Sequence, residues 1–242
     1  MTHAVAFKIA AAGPVIPNFG KGSSCVTGDH LFCWDWVRRH WGDTLEPHLV
    51  QHVELTVIAV SIGFVLALAL ALVSHRVRAL DQPIAITAGL IYTIPSLVAF
   101  QILIAFSGLS TTTVEIPLVG YSLVILYPNI TAGLRSAPPE VLEAARGMGL
   151  TQRQVLTRVE LPLALPAIIG GLRVAVVSTV AIATIAALVG DRGLGYPIFV
   201  AMGLPTPFKT EIYSAGVLVV ALALSLDLVL VTARRTLVRW VR

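Results

Sequence analysis

TVIAVSIGFVLALALALVS, residues 56–74, contains no charged side chain and is apolar almost all the way round a helix. A helix needs about 20 mostly apolar residues to cross the hydrocarbon of a bilayer, so this stretch reads as a membrane span. Four further segments meet the same test, at about 84–106, 116–134, 167–190 and 212–233. None has the broad polar face of a helix lying on a soluble core. The expected fold class is therefore an all-α integral membrane protein of about five transmembrane helices occupying residues 51–233.

The composition agrees. The chain is 56% hydrophobic and 12% charged, where soluble domains average about 25% charged residues. Mean hydropathy is +0.85. The net charge of +4 belongs to membrane topology before nucleic acid, because Lys and Arg gather in cytoplasmic loops. Arg76 and Arg78, then Arg135, Arg146, Arg153 and Arg158, then Arg234, Arg235, Arg239 and Arg242 alternate onto one face. Only Arg192 and Lys209 lie in the loops of the other face. This places the N-terminus outside and the C-terminus in the cytoplasm. Arg38 and Arg39, just before the first span, run against the rule without reversing it.

Residues 1–50 are expected to form an external tail. Trp34, Trp36 and Trp41 suit a helix at headgroup level, and the Gly-, Ser- and Pro-containing start through about Gly28 has the composition of disorder. Residues 4–12 lack a basic start and a small-residue cleavage site, so a signal peptide is not expected. Cys25 and Cys33 form a disulfide if the tail meets an oxidising compartment and stay thiols otherwise. Residues 234–242 read as a basic anchor on the inner leaflet.

Pro95 falls in the middle of the second apolar segment. It removes a helical hydrogen bond, so YTIPSLVAF, residues 92–100, is either two short helices or one kinked span. Backbone groups freed at that depth must be buried in protein or face water. Pro128-Asn129 in the third segment offers the same two readings.

The longest connection, residues 137–166, reads APPEVLEAARGMGLTQRQVLTRVELPLALP. Pro138 ends the third span and Pro139 can open a helix. Glu140 and Glu143 stand near that helix's positive end, and Glu143 can pair with Arg146. Gly147 and Gly149 break it, Gly149 as a left-handed cap. Thr151 and Gln154 form the capping box of a second helix, which is expected to stop around Pro162. The resulting hairpin carries Val141, Leu142, Ala144, Ala145, Met148, Val155, Leu156 and Val159, more apolar surface than a solvated loop needs. It either packs under its own bundle or docks into a partner.

The spacing of Glu143-Ala144-Ala145, Gly149 and Val159-Glu160-Leu161-Pro162 resembles the E-A-A-x3-G-x9-I-x-L-P signature of permeases in binding-protein-dependent ABC importers. Val159 stands where the signature has Ile. The resemblance runs from about His52 to Leu230. IYTIPSL at 91–97, LRSAPPEVLEAARGMG at 134–149, GGLRVAVVSTVAIATIAALVG at 170–190 and GLG at 193–195 are most similar to osmoprotectant permeases, which move glycine betaine, choline or carnitine. The resemblance implies the MetI-like fold and a bacterial cytoplasmic-membrane location. It implies that Glu143, Ala144, Ala145 and Gly149 contact an ATPase subunit while Leu161 and Pro162 fix the return to the membrane. It also implies two ATPase subunits, a second permease chain of the same or a different kind, and an external solute-binding protein. Surrounding lipid is implied with them, and no nucleic acid.

No other chemistry is spelled out. Gly20-Lys21 is not a phosphate-binding loop, so no cofactor is expected in this chain; ATP and Mg belong to the partner ATPase. GDRGLG, residues 190–195, reads as the outer turn after span four. The histidines have no metal-ligand spacing and read as surface residues, and no catalytic motif or catalytic residue is expected. Asp227, the main ionisable residue within a span, is expected to pair with Arg234 or Arg235, and Arg173 to snorkel. Tyr92, Ser96, Gln101, Tyr127, Asn129, Ser178 and Thr184 are candidates for a translocation path by position and chemistry; helix–helix packing is the competing role. A gradient-driven carrier usually shows two related halves, and this sequence shows none. An ABC permease for another small solute such as methionine or phosphonate would share the same loop signature and is a further alternative, as is a scaffold without transport.

Overall fold

The computed structural model describes residue 28 and residues 30–238, and they are helical almost throughout. A short helix, α1 (Trp34–Arg39), leads through a π turn into the first span, α2 (Glu46–Arg76). A bent pair follows, α3 (Asp81–Thr93) and α4 (Ser96–Ser107), then α5 (Thr111–Leu134). The hairpin consists of α6 (Pro139–Gly147), α7 (Gln152–Val155) and a π turn (Leu156–Glu160). It runs into α8 (Leu161–Ala183), which is followed by the short α9 (Gly195–Met202) and the last span, α10 (Lys209–Leu237).

Four helical stretches are long and apolar enough to cross a membrane: Trp41–Arg76, Thr111–Leu134, Gln152–Leu188 and Lys209–Leu237. The α3–α4 pair passes the same test jointly and is bent by 90°. Its two ends decide what it does. Asp81, at the start of α3, bonds to Arg135 beyond the end of α5. Ser107, at the end of α4, bonds to Thr113 in the first turn of α5. Since α5 crosses the bundle between those points, α3 and α4 together also cross it. Five crossings result, the second broken at Pro95.

At the break the carbonyl of Ile94 accepts a hydrogen bond from the Tyr121 hydroxyl of α5, and the Pro95 carbonyl accepts from the Ala99 amide. Both carbonyls at the break thus find donors within the protein, as a lipid environment requires. Pro117 and Pro128, in contrast, lie inside a continuous α5.

The core is built around α5, which makes the most extensive contacts of the bundle with α2 on one side and α8 on the other. Near the hairpin end, Ala67, Ala71, Leu126, Ile130, Leu134, Ala164 and Ile168 pack together. Further along, Leu55, Ala59, Phe100, Leu118, Ala183 and Val189 form the next cluster. At the far end, Cys33, Trp36, Val37 and Leu45 pack on Ala201, Phe208 and Ala215. The leading segment is thus part of the folded body. Trp36 meets the edge of Phe208, and Thr210 donates to the carbonyl of His30. Only Trp34 and Trp41 of the three tryptophans keep exposed surface; Trp36 is buried. Cys33 is buried and is not a free cysteine, while Cys25 lies outside the described residues, as does the stretch through residue 27.

Three sequence expectations are corrected. The second hairpin helix does not stop at Pro162 but continues into span four. The π turn before Pro162 places the Leu161 amide on the carbonyl of Leu156, a wider winding where a proline ring would otherwise press on the preceding turn. His52 is not a surface residue: it is 0% exposed. Its Nε2 bonds the Val180 carbonyl at 3.0 Å and its Nδ1 accepts the Leu194 amide at 3.1 Å. Gln51 accepts the Gly193 amide beside it, so α2 clamps the turn after span four, where Gly193 takes φ +57°. Asp227 pairs with neither Arg234 nor Arg235 but with Arg173. Arg234 is seven residues on, about 10 Å along the helix axis, whereas Arg173 faces Asp227 across the α8–α10 contact.

Candidate functional site

The hairpin between α5 and α8 is rigid for reasons written in its own backbone. Pro138 is extended, and its carbonyl accepts the amides of Val141 and Leu142. Pro139 occupies the first helical turn, where a missing N–H costs nothing. At the other end of α6 the Leu150 amide donates to the Ala145 carbonyl and the Gly149 amide to the Arg146 carbonyl. That pair of bonds is a Schellman closure, and it requires the left-handed φ of +82° that Gly149 adopts. The Thr151 amide then donates to Gln154 Oε1 at 2.8 Å, and Thr151 Oγ1 accepts the Gln154 amide at 3.4 Å. The capping box starts the return helix.

The exposed residues divide the hairpin into two sides. Ala145 is buried and faces the bundle. Glu143, Ala144 and Gly149 are exposed, as are Val141 and, at 75%, Met148. Among the described residues no ion pair joins Glu143 to Arg146. Leu161 packs on the Leu134–Ala164 cluster, and Pro162 is half-buried beside it. The hairpin thus holds apolar side chains outward on a capped helix.

Each strand of the loop is tied to a neighbouring span at its base. Arg135 Nη1 donates to Asp81 Oδ2 at 2.8 Å, and the Tyr127 hydroxyl donates to Asp81 Oδ1 at 2.9 Å. On the return side, Glu160 Oε2 lies 3.0 Å from His75 Nε2 in the last turn of α2. Both ties escaped the sequence reading, which had no means of pairing residues 54 and 85 positions apart.

The path candidates do not converge. Tyr92 and Gln101 are exposed on the bent pair and Ser96 is half-buried there. Tyr127 is buried and committed to Asp81. Asn129 is half-buried against α8, its Nδ2 donating back to the Ile125 carbonyl at 2.7 Å. Ser178 is half-buried on α8, and Thr184 donates to the Val180 carbonyl. Tyr121 was missed, yet it sits edge-on to Tyr92 with ring centroids 6.3 Å apart. A hydroxylated aromatic near the middle of a span, opposite a proline-broken one, is the signal that marks it. Among the described residues no group of three or more His, Cys, Asp or Glu is placed to hold a metal.

Fold and hairpin together define a multi-pass helical membrane protein with a rigid knob at one end of the bundle. The fold is that of a chain of the MetNI methionine ABC transporter solved in inward-facing form, with a TM-score of 0.71 at 20% identity, over 80% of this chain and 95% of that one. In sequence the chain is similar to the choline transport system permease protein OpuBB of Bacillus subtilis strain 168, 32% identical over 77% of this chain and 85% of that protein. It is also similar to the osmoprotectant import permease protein OsmW of Salmonella typhimurium, 38% identical over 60% of this chain and 70% of that protein. Residues 59–242 match the family of binding-protein-dependent transport system inner membrane components, and the chain belongs to that family. It is a transport component, not an enzyme.

Proposed function

We propose that this chain carries glycine betaine, choline or a related quaternary amine across the bacterial cytoplasmic membrane, driven by a separate ATPase pair that grips the α6 hairpin. The observation that carries the coupling part is the hairpin itself. It is locked by a Schellman closure and a capping box while Val141, Ala144 and Met148 point away from the bundle. The basic residues of the chain support a cytoplasmic hairpin and an external N-terminus. ATP and Mg are held by the partner, and solute arrives from an external binding protein at a dimer of permease chains.

The solute class is supported by the names of the relatives and by one local feature. Beside the break at Pro95 the rings of Tyr92 and Tyr121 meet edge to face, and aromatic faces attract quaternary ammonium groups without a buried anion.

The test is reconstitution of the chain in liposomes with its ATPase and binding protein, with uptake of choline, glycine betaine, methionine and phosphonate measured side by side. ATP-dependent uptake of the quaternary amines, lost in Glu143→Ala while the protein still inserts, is the expected result. Uptake driven by an ion gradient with no ATPase present would replace this reading with that of a secondary carrier. External labelling of residues 140–160 in intact cells would overturn the orientation.

A further inference from the structure

Both ends of the hairpin loop are bonded to a different neighbouring span. Arg135, the residue after α5, holds Asp81 at the start of α3, with Tyr127 on the same carboxylate. Glu160, the last residue of the π turn before α8, holds His75 at the end of α2. Glu160 is 7% exposed, and its carboxylate meets the His75 ring at 3.0 Å. Helix runs unbroken from Gln152 to Leu188, so any displacement of the hairpin's return arm carries Glu160 with it.

The two destinations differ in a useful way. The Glu160 tie leads to α2, a continuous core span. The Arg135 tie leads to α3, one half of the broken crossing, whose other end carries Tyr92 and the Ile94 carbonyl held by Tyr121. A push on the hairpin therefore has a bonded route both into the packed core and into the bent pair.

We infer that His75–Glu160 and Asp81–Arg135 are the mechanical links that pass hairpin displacement to α2 and α3, so that these four side chains are positioning residues for transport. The inference rests on the reading that an ATPase grips the hairpin. It predicts a loss of coupling, where a purely structural pair would lose folded protein and leave coupling alone.

The experiment uses the complete transporter in liposomes and measures radiolabelled choline or glycine betaine taken up per ATP hydrolysed. Co-purification of the ATPase with the wild-type chain is read first. His75→Ala and Glu160→Ala are each expected to lower the uptake-to-hydrolysis ratio roughly tenfold, with ATPase still bound and the double variant no worse than the worse single one. Asp81→Ala and Arg135→Ala should behave as a second such pair. Glu160→Gln keeps an acceptor for the His75 N–H and should retain most of the ratio, which guards against a mere folding defect. Unchanged ratios, or single effects that simply add, overturn the links while leaving the hairpin reading intact. A wild-type chain that binds no ATPase overturns the hairpin reading and the links together.

Discussion

Arg173 of α8 grips Asp227 of α10 with two parallel hydrogen bonds, Nε to Oδ1 at 2.6 Å and Nη2 to Oδ2 at 2.9 Å. A bidentate guanidinium–carboxylate pair fixes geometry as well as charge, and this one joins two membrane spans near their hairpin-side ends. Asp227→Asn should lower the unfolding temperature in detergent, and Arg173→Lys should do so too, because an ammonium lacks the fork. The exchanged double variant, Arg173→Asp with Asp227→Arg, should recover part of the loss. Equal stability of the wild type and Asp227→Asn would show that the pair is incidental.

The turn after span four offers a sharper test. Gly193 has φ +57°, and a Cβ there would stand 2.9 Å from His52 Nδ1. Gly193→Ala combines backbone strain with a clash against a buried ring, and should destabilise by more than about 1 kcal/mol. Gly216→Ala, in open space on α10, should be neutral or slightly stabilising. The comparison is made by thermal unfolding of both variants in the same detergent; similar melting curves would contradict the clamp geometry.

Tyr121→Phe removes the donor to the Ile94 carbonyl and little else. An orphaned acceptor at a helix break costs about 1–3 kcal/mol, and without it the 90° bend loses its tether. Lower stability and slower uptake are expected together. Normal uptake with normal stability would mean that water or lipid replaces the tyrosine without penalty.

Met148→Asp replaces the most exposed apolar side chain of the hairpin with a charge. Burial of such a side chain contributes about 2 kcal/mol, so affinity for the ATPase should fall by more than tenfold while insertion and unfolding temperature stay unchanged. Titration of ATPase binding to detergent-solubilised protein reads this directly, and unchanged affinity would place the contact elsewhere on the loop.

How far the sequence foretold this structure varies with the range of the interactions involved. The centres of all five crossings were visible as apolar runs, and the hairpin's turn could be read from Pro138-Pro139, Gly149 and the Thr151–Gln154 box, since each acts within a few residues. Pro95 left two outcomes open because local chemistry permits both; the choice is made by Tyr121, 27 positions away. Pro162 looked like a stop because the π turn that absorbs it has no sequence signature. Asp227 seemed to belong with its chain neighbours and instead found Arg173 across a helix contact. His52 resembled a span-edge histidine until its two nitrogens were seen on the backbone of other segments.

The packing of the leading segment bears on how this protein can be recombined with its relatives. The family match begins at residue 59, yet Trp36, Val37 and Leu45 cover Ala201, Phe208 and Ala215. A chimaera spliced at the family boundary would leave that apolar seat bare and lose the His30–Thr210 bond. Grafts that bring the packed segment with them should express where grafts at 59 aggregate.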